Sequence, residues 1–466
     1  MLSGLARALG AAPPSAASAS FSDGAPSWPA LAEALAAAQA REGLPAGGAD
    51  LENGPPSPLA LTRRFGTPAT PALLLYRDHA AWCPYCHKIV LQLEEKRVPY
   101  RVEKINMRCY GDKPSSFLAK VPSGLLPVIE FEGRIYTESA LIAALIEEKY
   151  PQNTPLMPAK GSAERSEAEA LLRLERQLFN RWMQWLTSAR ADAQGRGALE
   201  AALDEVDAAL QRRGGPYFLG KELSLVDITF APFLERIAAS IYFYKGLKVR
   251  AGGRWKALDA WFAATASRPA FAAFASDYYT HAHDLPPQLG GCEFGPDGEA
   301  AAAAIDGADG RSWALPLPPL NAGSMPEPFE PGENPARDRL EAAARLIGNH
   351  AAVTRFAARG CGLPGLRPVS APLSDPTARP GEAFLDDVDA ALRRAAHALL
   401  AGPDAAAAAV QQAGAGAPAR QAAPAAAAAA YLRDRVGVPR DMRFPAARQL
   451  RAHLNWVIDG LMTSSA

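Results

Sequence analysis

Apolar residues first fall into a regular pattern at residue 73, where the short run LLLYR precedes the turn WCPYC and the segment HKIVLQLEEK. Ile89, Val90 and Leu93 share one helical face, so the order is strand, loop, helix. Val98-Pro99 closes that helix, because a residue before proline avoids helical dihedrals, and YRVEKIN follows with strand-like alternation. A polar stretch with Lys113-Pro114 leads to a short helix, SFLAK. PVIEF and RIY then flank a Glu-Gly turn as a β-hairpin, and ALIAALIEEKY spaces Leu141, Ile142, Leu145 and Ile146 as a buried helix does. The predicted order is βαβαββα over residues 71–150, with the fold beginning near Pro71.

Longer helical periods follow. LLRLERQLFNRWMQWL carries Leu171, Leu174, Leu178, Trp182 and Trp185 at spacings of three and four, the stripe of a bundle helix. Core packing is the first expectation for the two tryptophans, lining of a second-substrate pocket the alternative. LSLVDITFAPFLERI opens with Ser224-x-x-Asp227, a local helix cap, and the all-α region extends over 160–285. Residues 286–335, with GGCEFGPDGEAAAAAIDGADG, are predicted to be a linker, and GAGAPARQAAPAAAAAA a second low-complexity stretch. Helices are expected near 336–358, 382–401 and 443–463, making 336–466 an α-helical extension. In the last helix Leu450, Leu454, Val457, Ile458 and Leu461 form one face, with Arg448, Arg451, Asn455 and Asp459 on another. That apolar stripe must dock, and an autonomous helical domain is expected, so that a chain ending near residue 285 would fold alone.

Composition narrows the function classes. In a chain of 466 residues, with room for two or three domains, 49 Lys and Arg balance 49 Asp and Glu, which leaves no positive field to gather nucleic acid or anionic lipid. No apolar run approaches the ~18 residues of a membrane span. The cysteines, Cys83, Cys86, Cys109, Cys292 and Cys361, are too sparse for a disulfide framework and suit a reducing compartment. Residues 1–22 are rich in Ala and Ser, with Arg7 and no acid, the composition of a transit peptide. Chloroplast comes ahead of mitochondrion because a single arginine gives little cationic helix; a plain alanine-rich tail and a cytoplasmic protein are the alternative. Residues 23–70 resemble a spacer or peripheral wrap.

The chemistry concentrates in WCPYC. A structural zinc site wants two more Cys or His at matching spacing, and the chain has no second Cys-x-x-Cys, so no metal is expected. Pro84 suits the first helical position and thereby places Cys83 at a helix N-terminus. Unpaired N–H groups and the helix dipole favour a thiolate there, making Cys83 the predicted nucleophile. Cys86, one turn further in, is either a resolving thiol or a buried bystander. His281-x-His283 is expected to be a solvated loop pair.

CPYC is the glutaredoxin tetrapeptide, and with βαβαββα it resembles the thioredoxin-like module shared by glutaredoxins and the amino-terminal domain of glutathione S-transferases. GLLPV resembles the family's cis-proline segment, and TES its Glu-Ser element. The resemblance implies that Leu126, before cis-Pro127, meets the cysteinyl part of glutathione, that Glu138 and Ser139 hold its γ-glutamyl end, and that Lys113 meets the glycyl carboxylate. The implied fold is an α/β thioredoxin-like domain, then an all-α transferase bundle, then a mostly α extension; such an extension resembles that of the iota-type class of photosynthetic organisms. A hemerythrin-like tail would need helical His-x-x-x-Glu sets, whereas His350, His397 and His453 stand alone. A cysteine-type transferase forms a mixed disulfide with glutathione, which implies glutathione as co-substrate and a disulfide, a glutathionylated thiol or dehydroascorbate as substrate. No nucleic-acid or membrane partner is implied, and a homodimer is open. The competing expectation is a glutathione-binding carrier or redox-sensing scaffold whose extension binds a partner.

Overall fold

Alternation in LLLYRD sends Leu73 and Leu75 to one face of a strand and Leu74 and Tyr76 to the other, and helices cover both faces. The structure, a computed structural model, describes residues 20–44, 49–107, 110–188, 192–321, 327, 334–365, 373, 375–413 and 418–463. Most of the expected transit peptide, and Cys109, lie outside the described residues. The strands are β1 (Ser20–Ser22), β2 (Thr62–Arg63), β3 (Leu73–Asp78), β4 (Tyr100–Ile105), β5 (Val128–Phe131), β6 (Arg134–Tyr136) and β7 (Ala419–Gln421). A five-stranded sheet has the order β2-β4-β3-β5-β6. Among the described residues only β3 and β4 are parallel, with Asp78 opposite Ile105; β5 runs antiparallel to β3, with Val128 opposite Tyr76. Helices Pro84–Lys96 and Ser139–Lys149 pack together on one face, and Phe117 of helix Ser115–Lys120 covers the other with Tyr76, Ile105 and Val128. This is the thioredoxin-like βαβαββα order. Leu141, expected in the buried stripe of its helix, is instead exposed.

The sheet begins earlier than Pro71. Thr62 and Arg63 pair with β4, and the buried Arg63 guanidinium grips Glu94 through Nε at 2.8 Å while also binding the carbonyl of Leu51. Upstream, Ser27 caps helix Trp28–Arg41, and Trp28 Nε1 donates to Asp389 at 2.7 Å. Asp23 pairs with Arg393, and β1 pairs with β7. The expected spacer is therefore folded onto both ends of the molecule. Of the two expectations for this segment, this is nearer the peripheral wrap than the spacer; local pattern could not place its anchors, because each is buried by a partner far away in sequence.

The all-α region contains helices Ala163–Leu186, Asp192–Gln211, Leu225–Lys245, Lys256–Ala266, Pro269–Phe274 and Tyr278–Leu289. Buried Asp227 closes the predicted cap with Ser224 and also accepts from Phe218 N and Trp261 Nε1. The predicted linker is largely structured: Glu299–Ile305 is helical, and Trp313 joins the main core.

In the extension, helices Pro335–Gly348, His350–Ala357, Leu385–Ala401 and Phe444–Thr463 correspond to the expected ones. Two more are Pro403–Ala413 and Ala422–Arg433, the second lying largely inside the stretch expected to be a low-complexity linker. Alanine has the highest helix propensity and lets helices approach closely, and Ala425, Ala428 and Ala429 are buried beside Ala446 and Ala447. Apart from Pro403–Ala413, the helices of the extension share a second core with Phe21 and Leu31. Arg448 and Arg451, assigned from sequence to the polar face of the last helix, are buried. Arg451 forms an ion pair with fully buried Asp277 at 2.6 Å, and Val438 N donates to Thr280 Oγ1. Among the described residues no helix is long and apolar enough to cross a membrane.

Candidate active site

Cys83 is the N-cap of helix Pro84–Lys96, and its carbonyl accepts from His87 N at 2.9 Å. The sulfur is half-buried. A hydrogen bond from the Cys86 thiol lowers its pKa most, and the N–H groups of Cys86 and Tyr85 add to this, while burial and the Asp78 carboxylate oppose. Cys86 is driven the other way: burial first, then its bond to Cys83, push its thiol well above the ordinary value. One thiol is poised to ionise and the other to stay protonated.

Sheet register gathers the remaining predicted residues. Because Val128 lies opposite Tyr76, the preceding Leu126-Pro127 bond, which is cis, falls at the carboxyl end of β3 beside the cysteine turn. Tyr136 lies opposite Ile129, so Glu138 and Ser139, entering the helix after β6, reach that same end. Glu138 has φ of 65°, a strained value for a non-glycine residue. Lys113 Nζ donates to the carbonyl of Asn106, just past the end of β4. Trp182 and Trp185 are core residues, bonded to Ser240 Oγ and Asp192 Oδ1. The aromatic wall near the turn is instead half-buried Phe179, with Phe233 meeting Tyr85 edge-on at 5.7 Å and Arg176 over Phe179 at 4.6 Å.

Beneath the turn lies a polar layer that sequence reasoning did not find. Trp82 N donates to Asp78 Oδ2 at 2.6 Å, and Trp82 Nε1 donates to His281 Nδ1 at 3.0 Å, so His281 carries its proton on Nε2. Arg236 donates to the Trp82 carbonyl and lies 4.6 Å over its ring. Burial pulls the Arg236 pKa down to about 10 and that of His87 down to about 3. His281 and His283 are thus no solvated loop pair: both are buried in helix Tyr278–Leu289, and His283 Nε2 meets Asp306 Oδ1 at 2.7 Å. A signal existed for Arg236, a lone cation in the apolar run LVDITFAPFLERIAASIYF; none existed for His281, whose partner is 199 residues away.

A family model described as "Glutathione S-transferase, N-terminal domain" matches residues 82–149, and one described as "Glutathione S-transferase, C-terminal domain" matches 168–264. The chain is 30% identical over 167 residues to Glutathione S-transferase DHAR2 of Arabidopsis thaliana, covering 36% of this chain and 72% of that one. It is 28% identical over 169 residues to Glutathione S-transferase DHAR3, chloroplastic, of the same organism, covering 36% and 59%. It is 28% identical over 161 residues to Glutathione S-transferase omega-1 of Sus scrofa, covering 34% and 65%. With a thioredoxin-like domain bearing its cysteine at a helix mouth, a helical domain behind it and these matches across both, the chain belongs to the glutathione S-transferase family.

Proposed function

We propose that this protein is a glutathione-dependent thiol transferase and reductase working through a Cys83 mixed disulfide with glutathione. The observation that carries this is the Cys83 sulfur at the helix mouth, where the Cys86 thiol and two backbone N–H groups stabilise its ionised form. The thiolate attacks the glutathionyl sulfur of a mixed disulfide, and the reduced substrate leaves as a thiolate. A second glutathione then attacks the glutathionyl sulfur, releasing the Cys83 thiolate and glutathione disulfide; alternatively Cys86 attacks the Cys83 sulfur, releasing glutathione and leaving a Cys83–Cys86 disulfide that two further glutathiones reduce. Lys113, Leu126, Pro127, Glu138 and Ser139 hold the tripeptide, and half-buried Tyr85 and Phe179, backed by buried Phe233, present an aromatic wall to the second substrate. Small disulfides, glutathionylated thiols and dehydroascorbate are the substrates this chemistry admits. Within the family we assign the chain to the cysteine-type class, resembling the iota type. It is placed in the chloroplast, with the cytoplasm as alternative, and homodimerisation belongs to the same proposal.

Turnover of a small glutathione mixed disulfide by wild type and Cys83→Ser tests this. Wild-type turnover abolished by the substitution is expected. Slow glutathionylation of Cys83 without turnover would instead favour a redox-sensing scaffold.

A further inference from the structure

We infer that Asp78, Cys83 and Cys86 form a three-donor site for a thiophilic divalent cation of the Zn2+ type, and that its occupancy silences the dithiol. One carboxylate oxygen and the two sulfurs all lie within 4.8 Å of one another. Sequence spacing pointed away from a metal because it sought a second cysteine pair. The third donor comes instead from the carboxyl end of β3, delivered by the fold to the floor of the cysteine turn.

Asp78 supplies an observation independent of the cysteines. The side chain is fully buried; Oδ2 accepts the Trp82 N–H, but Oδ1 has no hydrogen-bond partner. A buried acceptor left unmade costs about 1–3 kcal/mol, and more when charged. A cation shared with the two sulfurs relieves that cost. Two thiolates and a carboxylate are donors that zinc favours, at about 2.3 Å for sulfur and about 2.0–2.2 Å for oxygen. Tetrahedral donors at those lengths stand roughly 3.5–3.8 Å apart. Modest side-chain rotation therefore closes the site, beginning with Cys83, which is not fully buried.

Three protein donors leave a fourth position open, the arrangement of reactive rather than structural zinc sites. It would fall on the side of Cys83, the least buried of the three donors, for water or an incoming thiolate. Each thiol gives a proton to the buffer on binding, two metal–sulfur bonds and one metal–oxygen bond form, and no electron moves. The three anionic donors leave the loaded site one negative charge in excess, which faces the Arg236 guanidinium at the Trp82 carbonyl. A metal-bound Cys83 cannot attack a disulfide, so metal and glutathionylation compete.

The test uses the full, reduced chain and Zn2+ alone, reading alkylation of the peptide containing Cys83 and Cys86 by mass spectrometry. Zn2+ should protect both cysteines of the wild type, with Cd2+ giving a thiolate charge-transfer band at one equivalent. Asp78→Asn keeps an acceptor for Trp82 N–H and should raise the Zn2+ concentration for half-protection at least about tenfold. Circular dichroism checks that this variant folds. Cys86→Ser, a milder change, should weaken protection of Cys83 in the same way. Equal protection in wild type and folded Asp78→Asn, or Zn2+ binding that leaves Cys83 open to alkylation, would overturn the site. The readout needs no glutathione turnover, so failure of the proposed activity and failure of the metal site are distinguishable.

Discussion

At the scale of single residues, what separates the cysteines is their surroundings. Burial drives Cys361 up to about 11 and Cys292 up to about 12, whereas the Cys86 thiol and the helix mouth hold Cys83 below its ordinary value near 9. At pH 6.5 the gap of two or more units favours the Cys83 thiolate at least about a hundredfold, and its weaker nucleophilicity returns roughly tenfold of that. Cys83 should thus alkylate with iodoacetamide at least about ten times faster than Cys361 and Cys292. Peptide-resolved labelling checks this, and equal rates would remove the nucleophile. Glu138 and Ser139 stand at a helix entry away from the sulfur, so they should affect binding alone. Glu138→Gln and Ser139→Ala should raise the glutathione KM about fivefold to tenfold while Cys83 alkylation stays unchanged. An unaltered KM in both would remove them from the glutathione site.

At the scale of elements, the parts legible in sequence were those whose partners are close along the chain. The strand, turn and helix around CPYC, the hairpin before Glu138 and the stripe of the last helix all follow from local periodicity. Leu450, Leu454, Val457 and Leu461 of that stripe are buried. Leu454→Asp should destabilise the extension by about 3 kcal/mol or more, as an unpaired charge in an alanine-lined interface, and denaturant unfolding measures this. What could not be read was burial by distant partners: Trp28 on Asp389, Arg63 on Glu94, Trp82 on His281. Alanine runs misled for a related reason, since alanine is equally the residue of low-complexity linkers and of closely packed helices. Glu235, in helix Leu225–Lys245, exposes the same limit. Burial lifts its pKa to about 7, and His87 and His281 approach one of its oxygens only to 3.9 Å. A folded pKa above the unfolded value of 4.5 contributes stability that is present below pH 4.5 and lost as pH rises through 7. Glu235→Gln should therefore be more stable than wild type at pH 8, by something on the order of 2 kcal/mol, with the advantage shrinking toward pH 5. A gap that is constant with pH would show that Glu235 does not titrate in this range.

For the whole molecule, the decisive contacts join the extension to helix Tyr278–Leu289. That helix carries His281, which holds Trp82 beside the nucleophile, and its N-cap Asp277 accepts both from Thr280 N and from buried Arg451 of the last helix. Tyr279 Oη donates to Asp434 O, and Ser276 Oγ to Val438 O. Periodicity suggested an extension that could be cut away near residue 285. The structure gives a different expectation, because the cut removes Arg451, Asp434, Val438 and Trp313 together and bares the face of helix Tyr278–Leu289 that they cover. Breaking a buried pair from one side costs about 3–5 kcal/mol. It also strips Trp313 from the main core and removes the helices that bury Trp28 and Leu31. A chain ending at 285 should consequently aggregate or melt well below the full protein, as size-exclusion chromatography and thermal unfolding would report. Arg451→Met isolates the electrostatic part: alone it should destabilise by about 3–5 kcal/mol, and combined with Asp277→Asn it should recover part of that loss, since the stranded charge is gone. If the truncated chain is monomeric and as stable as the full one, the pair does not bind the extension to the catalytic unit, and the two fold independently.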